Sequence, residues 1–253
     1  MTTYNNILAI ETATSHQALA LLSGEELLEN RVQRVRYNHG SSLLENIDAL
    51  FSASRHSLDD LDLIAVGLGP GSFTGLRVGL ATAKALARAK DKPLVGVSSL
   101  AALAYIPGRC APDKVVAASI DARRTEVYAG AYQWNEESKS LHTVLSDCAL
   151  HPEKWVEMLK GLAANSLLQV GEGPAVYKEL HQFGDVLPFV LSPPSASSIA
   201  FLGRQIATFD STADLISLEP NYIRKSDAKL PAIALKEPQE LQELLRRGSG
   251  SPS

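Results

Sequence analysis

The chain has 253 residues, 45% apolar, 21% charged and 6% aromatic, with a formal net charge of −4 and a pI near 5.9. That length suits one large domain or two lobes with a sizeable core, and the mildly acidic balance argues against holding a nucleic-acid backbone unaided, which takes clustered lysine and arginine. Two cysteines, Cys110 and Cys148, stand far apart with no Cys-x-x-Cys spacing, and MTTYNNILAIETATSHQ shows no basic segment ahead of a long apolar run, so free thiols in the cytoplasm are expected, with no signal peptide and no membrane span.

NILAIETA reads as a short buried strand. HQALALLSG and ELLENRVQRVRY follow with Gly24 between them, as hairpin-linked strands. SSLLENIDALFSAS changes period: Leu43, Leu44, Ile47, Leu50 and Phe51 share one helical stripe of roughly 120°, a core-facing width. Ser42 with Glu45 three residues on is a capping-box start. LDLIAVGLG is another buried strand, TGLRVGLATAKALARAK the next helix and KPLVGVSS a further strand.

The order then recurs. KVVAASIDA, TEVYAGAYQW and LHTVLSDCAL read as strands, EKWVEMLKGLA as a helix, SLLQVGEG as a strand, and PAVYKELHQF and ASSIAFLGRQIATF as helices. Each half opens on a strand with an acidic end, Glu11 after Ile10 and Asp121 after Ile120. Two like halves, 1–108 and 109–225, predict two mixed-sheet α/β lobes side by side. Residues 226–253 form a C-terminal extension, whose RRGSGSPS end reads as a flexible tail and is set aside.

GLGPGSFTGLRVGLATAKALARAK, residues 67–90, has five glycines in its first thirteen residues. It lacks the Gly-Lys-Ser/Thr of a phosphate loop, since no lysine occurs before Lys84. It lacks the third glycine of a dinucleotide fingerprint, where Ser72 stands. It is not a nucleophile elbow, because Pro70 and Thr74 flank Ser72 where glycines belong. A structural corner or a ligand loop remains, entering a helix near Ser72 or Thr74. That helix has two apolar faces. Leu76, Leu80, Ala83 and Ala87 make one; the small residues Val78, Thr82, Ala85 and Ala89 make the other, with Arg77, Lys84 and Arg88 as a basic stripe between. Such a helix is either sandwiched inside one domain or shared with a partner.

ILAIETAT, GLGPGSFTGLRVGLATAKALA, SIDARRTEVYAG and EPNYIRK together resemble the TsaB (YeaZ) family, over essentially residues 5–225. The resemblance implies an actin/hexokinase/Hsp70-like fold of two duplicated ribonuclease H-like lobes. It implies a cytoplasmic subunit, without chemistry or cofactor of its own, of the machinery that makes threonylcarbamoyladenosine in tRNAs reading ANN codons. The implied partners are the catalytic paralogue TsaD and the ATPase TsaE, with tRNA met only through the complex, and a homodimer when the chain is alone. TsaD-like enzymes carry a His-x-x-x-His metal pair after the strand that follows the glycine-loop helix; here those positions are Ser99 and Leu103. None of the six histidines (His16, His39, His56, His142, His151, His181) makes a His-x-x-x-His or His-Glu-x-x-His pattern, so no metal site is expected.

The helices near 41–54 and 74–90 are then the expected partner interface, with Leu44, Ile47, Phe51, Arg77, Val78, Thr82, Ala85 and Ala89. A vestigial nucleotide cleft between the lobes is expected at Glu11, Thr12, Asp121, Arg123, Gly171 and Gly173. Its two turns, Glu11-Thr12-Ala13-Thr14 and Asp121-Ala122-Arg123-Arg124, lack the glycines that close on phosphates. The Gly171-Glu172-Gly173-Pro174 run sits where the fold often holds adenosine, but the plainer reading, a strand-to-helix turn, is the one expected. The alternatives are an ATP-dependent phosphotransferase of the same fold, supported by the acidic strand ends, and a peptidase.

Overall fold

The structure, a computed structural model, describes residues 4–35, 39–162, 166–191, 193–209 and 215–223; the extension beyond Lys225 with its RRGSGSPS end, and Arg224-Lys225 of EPNYIRK, lie outside them. Each half builds a five-stranded sheet. In the first, β1 (Asn6–Glu11), β2 (His16–Ser23) and β3 (Glu26–Arg34) form an antiparallel meander, and β4 (Leu63–Gly67) and β5 (Leu94–Val97) add in parallel beyond β1, giving β3-β2-β1-β4-β5. In the second, β6 (Val115–Arg123), β7 (Glu126–Asn135) and β8 (Ser140–Leu150) repeat the meander, and β9 (Leu167–Gly171) and the two-residue β10 (Asp185–Val186) repeat the parallel edge. The two orders are the same from the meander edge inward, so the duplication expected from the sequence is a duplication of topology.

Alternation along the strands sends successive residues to opposite faces. On one face of the first sheet Leu8, Ile10, Leu19, Leu21, Ile64 and Val66 meet α1 (His39–Ser54) and α2 (Phe73–Lys90). On the other, Ile7, Ala9, Ala18, Ala20 and Ala65 meet α6 (Ala196–Phe209). The second sheet carries α3 (Ser99–Cys110) on one face, against Val116, Ala118 and Ile120, and α4 (Pro152–Lys160) on the other, against Ala117, Val127 and Ala129. The helices cross between halves: α3 follows the first sheet but packs on the second, and α6 comes from the second half but packs on the first. Two duplicated ribonuclease H-like sheets with α3 and α6 between them make the actin/hexokinase/Hsp70-like architecture that the resemblance implies. Among the described residues no helix is long and apolar enough to cross a membrane.

Four local expectations are corrected. The helix at 41–54 begins at His39, so Ser42 and Glu45 lie inside it rather than forming its capping box. Leu44, placed in the core stripe with Leu43 and Ile47, is instead 59% exposed. PAVYKELHQF is not one helix but the single turn α5 (Gly173–Val176) followed by a 3-10 turn, Lys178–Gln182. The sequence predicts no element after KPLVGVSS, and the structure forms α3 there.

Candidate functional site

The glycine corner is built around the end of β1. β4 stops at Gly67, the Gly69–Pro70 peptide is cis, and Ser72 caps α2 by accepting the Gly75 amide at 3.2 Å. The Ser72 amide donates to the Ala13 carbonyl at 2.6 Å, and the Thr12 hydroxyl donates to the Gly75 carbonyl at 2.9 Å. Gly75 and Gly79, one turn apart on α2, present bare α-carbons to Thr12, and a methyl group at either would overlap it. The corner therefore closes on the chain's own turn. Glu11 and Thr12 are 2% and 0% exposed, so neither faces the cleft between the lobes as expected.

The Glu11 carboxyl accepts the Ala13 amide at 2.7 Å. Burial pushes its pKa above the usual carboxylate range, opposed by hydrogen bonds from Ser99 and from the Ala13 and Thr12 amides. Ser99, at one of the positions matched to a metal ligand, also accepts the Gly69 amide at 3.2 Å and donates its own amide to the Gly69 carbonyl at 2.9 Å. Leu103, at the other, is core on the second sheet. Among the described residues no three His, Cys, Asp or Glu side chains come together as metal ligands.

Asp121, Arg123, Gly171 and Gly173 do come together, at the ends of β6 and β9. Asp121 Oδ1 accepts the Arg123 amide at 2.8 Å and the Tyr177 hydroxyl at 2.8 Å. Burial and then this bond push the Tyr177 phenol up to about 12. Gly171 (φ 94) and Gly173 pack on Ser119, and the run between β9 and α5 is a strand-to-helix turn. Arg123, Arg124 and Thr125 all take left-handed backbone, with φ of 61, 53 and 59, a costly conformation for arginine and more so for a β-branched threonine. Glu172, named in the sequence only as part of the turn after β9, joins this cluster, with two residues that the sequence reading missed: Tyr177 and, from the first lobe, Arg34. Burial and the Asp121 charge raise the Glu172 pKa, while Arg123 and Arg34 oppose the rise. Arg34 pairs with His16 across β2 and β3, and the His16 ring lies 5.5 Å from that of Phe189. Burial and then Arg34 lower the His16 pKa. No local pattern marks them: Tyr177 reaches Asp121 from 56 residues along the chain, and Arg34 comes from the other half.

On the outer side of the first lobe, α2 lays Leu76, Leu80, Ala83 and Ala87 on its sheet. Its second face stays outward: Val78 and Thr82 are half-buried, Ala85 and Ala89 exposed. On α1, Leu44 is exposed, but Ile47 and Phe51 are turned into the chain's own core, 3% and 8% exposed, and do not line the outward surface. The basic stripe is partly engaged. The Arg77 guanidinium lies 3.9 Å from the Phe73 ring centroid and donates to the Tyr222 hydroxyl at 3.0 Å, and Lys84 donates to the Ile216 carbonyl at 3.4 Å. Residues 215–223 thus return across α2, anchored also by the Asn221 amide on the Leu68 carbonyl at 2.8 Å. EPNYIRK is the sequence signal of this segment.

A family model described as TsaD, tRNA N6-adenosine threonylcarbamoyltransferase, matches residues 29–247. The chain is 33% identical over 230 residues to the tRNA threonylcarbamoyladenosine biosynthesis protein TsaB of Bacillus subtilis, covering 88% of this chain and 96% of that one. It is 31% identical over 234 residues to TsaB of Escherichia coli, covering 89% and 98%. Among solved structures, YeaZ from Pseudomonas aeruginosa superposes with a TM-score of 0.74 at 29% identity, over 86% of this chain and 99% of that one. The 2-hydroxyglutaryl-CoA dehydratase component A of Acidaminococcus fermentans, at 9% identity and a TM-score of 0.51 over 82% of this chain and all of that one, shares the fold alone. With relatives above 30% identity covered nearly end to end, the chain belongs to the TsaB family.

Proposed function

We propose that this chain is a non-catalytic, cytoplasmic subunit in tRNA threonylcarbamoyladenosine biosynthesis, one that docks and activates a TsaD-type catalytic paralogue working with a TsaE-type ATPase. The observation that carries the reading is α2. It buries one face on its own sheet and leaves a second, made of small residues, partly uncovered, with Ala85 and Ala89 exposed as Leu44 is on α1. Small side chains let a partner helix approach closely, and an uncovered apolar face of this kind marks an interaction site. Alone, the same face pairs with a second copy. The expected nucleotide cleft, with Asp121, Arg123, Gly171 and Gly173, is read as vestigial. Two features support that reading: Glu11 is sealed under the glycine corner, and Asp121 Oδ1 already accepts the Tyr177 hydroxyl and the Arg123 amide.

The test is tRNA modification by purified TsaD-type and TsaE-type subunits, with and without this chain, beside ATP turnover by the chain alone. Modification is expected to require the chain, and turnover by the chain alone to stay at background. ATP turnover that disappears in Asp121→Ala would favour a phosphotransferase instead.

A further inference from the structure

We infer that the joint between the two lobes is locked at the end remote from the cleft, by the stack of Tyr105 on Phe201 and the bond from Gln205 to the Lys139 carbonyl, so that the cleft keeps one aperture and the lobes move as one body. This stands apart from the docking reading above. α3 packs on the second sheet, α6 packs on the first, and the two helices pack on each other. Their contact is therefore the joint. Lobes that open or close must slide or tilt one helix along the other, as packed helices do in shear motions. Two lobes are expected to move in this way unless their contact is large and apolar. Here one buried cluster runs through the joint and holds Ala102 and Tyr105 of α3, Trp134 of β7, and Ile199, Ala200 and Leu202 of α6.

Glu11 and Asp121 lie toward the cleft ends of β1 and β6. At the other end of the same sheets are the β2–β3 turn at Gly24 and Glu25 and the β7–β8 turn at 136–139. Arg204 and Gln205, neighbours on α6, reach one turn each. The Arg204 guanidinium donates to the Gly24 carbonyl at 2.7 Å and pairs with Glu25, and the Gln205 amide donates to the Lys139 carbonyl at 3.0 Å. On the same helix the Phe201 ring stacks on Tyr105 of α3, with centroids 6.0 Å apart and planes 13° from parallel. Tyr105 in turn meets Trp134 edge-on at 5.7 Å. The Arg109 guanidinium lies 5.2 Å from the Trp134 ring centroid, and that of Arg204 lies 5.3 Å from the Phe201 centroid. The row of Trp134, Tyr105 and Phe201 thus crosses from the second sheet through both helices. Ring pairs depend on their relative placement as well as on the area they bury. A slide of α6 along α3 therefore disturbs the stack and pulls Gln205 from Lys139 at the same time.

The experiment is pulsed electron double resonance between spin labels on the two lobes of the full chain, with thermal melting alongside. Ser52→Cys on α1 and Glu157→Cys on α4, both exposed positions, carry the labels in a chain with Cys110→Ser and Cys148→Ser. Excess unlabelled chain restricts the signal to distances within one molecule. The labelled reference is expected to give one narrow distance distribution. Gln205→Ala is expected to broaden it, and Tyr105→Leu with Gln205→Ala to broaden it further and move its mean by several ångströms. A broad distribution in the reference would overturn the inference, since the joint would then be free. An unchanged distribution in either folded variant would overturn it as well, and a lowered melting temperature beside that unchanged distribution would make these contacts a source of stability rather than a lock. Should the double variant fail to fold, Gln205→Ala decides alone, because its half-buried side chain can be removed without emptying the core.

Discussion

The carboxyl group of Glu11 lies against the bare α-carbon of Gly67, with no room for a methyl group between them. The end of β4 and the end of β1 are parallel neighbours, and the glycine lets the buried acid fit between them. Gly67→Ala is expected to destabilise the fold by about 1–3 kcal/mol, the usual cost of forcing a methyl group into a packed interior. Urea unfolding of the two proteins measures it. An unchanged midpoint would mean that Glu11 swings aside at no cost and is not the fixed centre of the corner.

Glu11 also predicts a pH dependence. Its folded-state pKa is raised by burial, so the folded protein holds the proton more tightly than the unfolded chain. Stability from this group is fully present below the unfolded value of about 4.3. It is lost as pH rises through the higher folded value and is then level. Glutamine cannot titrate. The stability of Glu11→Gln relative to wild type should therefore grow as pH rises from about 4 and reach a plateau. A difference that stays flat from acid to neutral pH would show that the folded and unfolded values coincide.

Most elements that cover a sheet face were legible in the sequence, α6 between the sheets among them; α3, and what returns from far along the chain, were not. The two-faced pattern of α2 could be read because Leu76, Leu80, Ala83 and Ala87 keep helical spacing and their burial follows it. α3 escaped because it is wrapped on nearly all sides: Leu100, Ala102, Leu103, Ala104, Tyr105 and Pro107 are all buried, and a helix apolar all round has no amphipathic period to detect. Two-residue β10 has no apolar run to mark it. Leu44 shows the limit of a wheel, since the edge of a core stripe and the start of an exposed flank carry the same spacing. The seat of Tyr222 on Arg77 joins residues 145 apart in the chain, and only the tertiary fold supplies that neighbour.

A second polar cluster ties the start of α3 to the second sheet. Ser98, the residue that caps α3, donates to Asp147 Oδ2 at 2.7 Å, and the buried Tyr132 hydroxyl donates to Asp147 Oδ1. Burial, the Asp147 charge and this bond push the Tyr132 pKa upward, so the phenol keeps its proton and stays a donor. Tyr132→Phe keeps the ring and removes that donor from a half-buried carboxylate, at an expected cost of about 1–3 kcal/mol. Chemical denaturation checks it, and a loss much below that range would mean that water replaces the hydroxyl freely.

Ala85→Asp separates docking from folding. Ala85 is exposed on the outward face of α2, between the half-buried Thr82 and the exposed Ala89, while the sheet-facing Leu80, Ala83 and Ala87 are untouched by the change. Within the lone chain the aspartate stays in water, and the helix loses about 0.7 kcal/mol or less from the poorer propensity of the residue. Once a partner helix covers the ridge, the same aspartate is an unpaired charge in an apolar contact, and the loss of binding rises to about 3–5 kcal/mol. At a concentration low enough for both proteins to be monomers, melting is therefore expected to stay near that of wild type, while co-purification with the TsaD-type paralogue and tRNA modification both fail. The contrast carries the test. Unfolding of Ala85→Asp would make the second face of α2 internal core, and intact binding with intact modification would put the interface on another surface of the molecule.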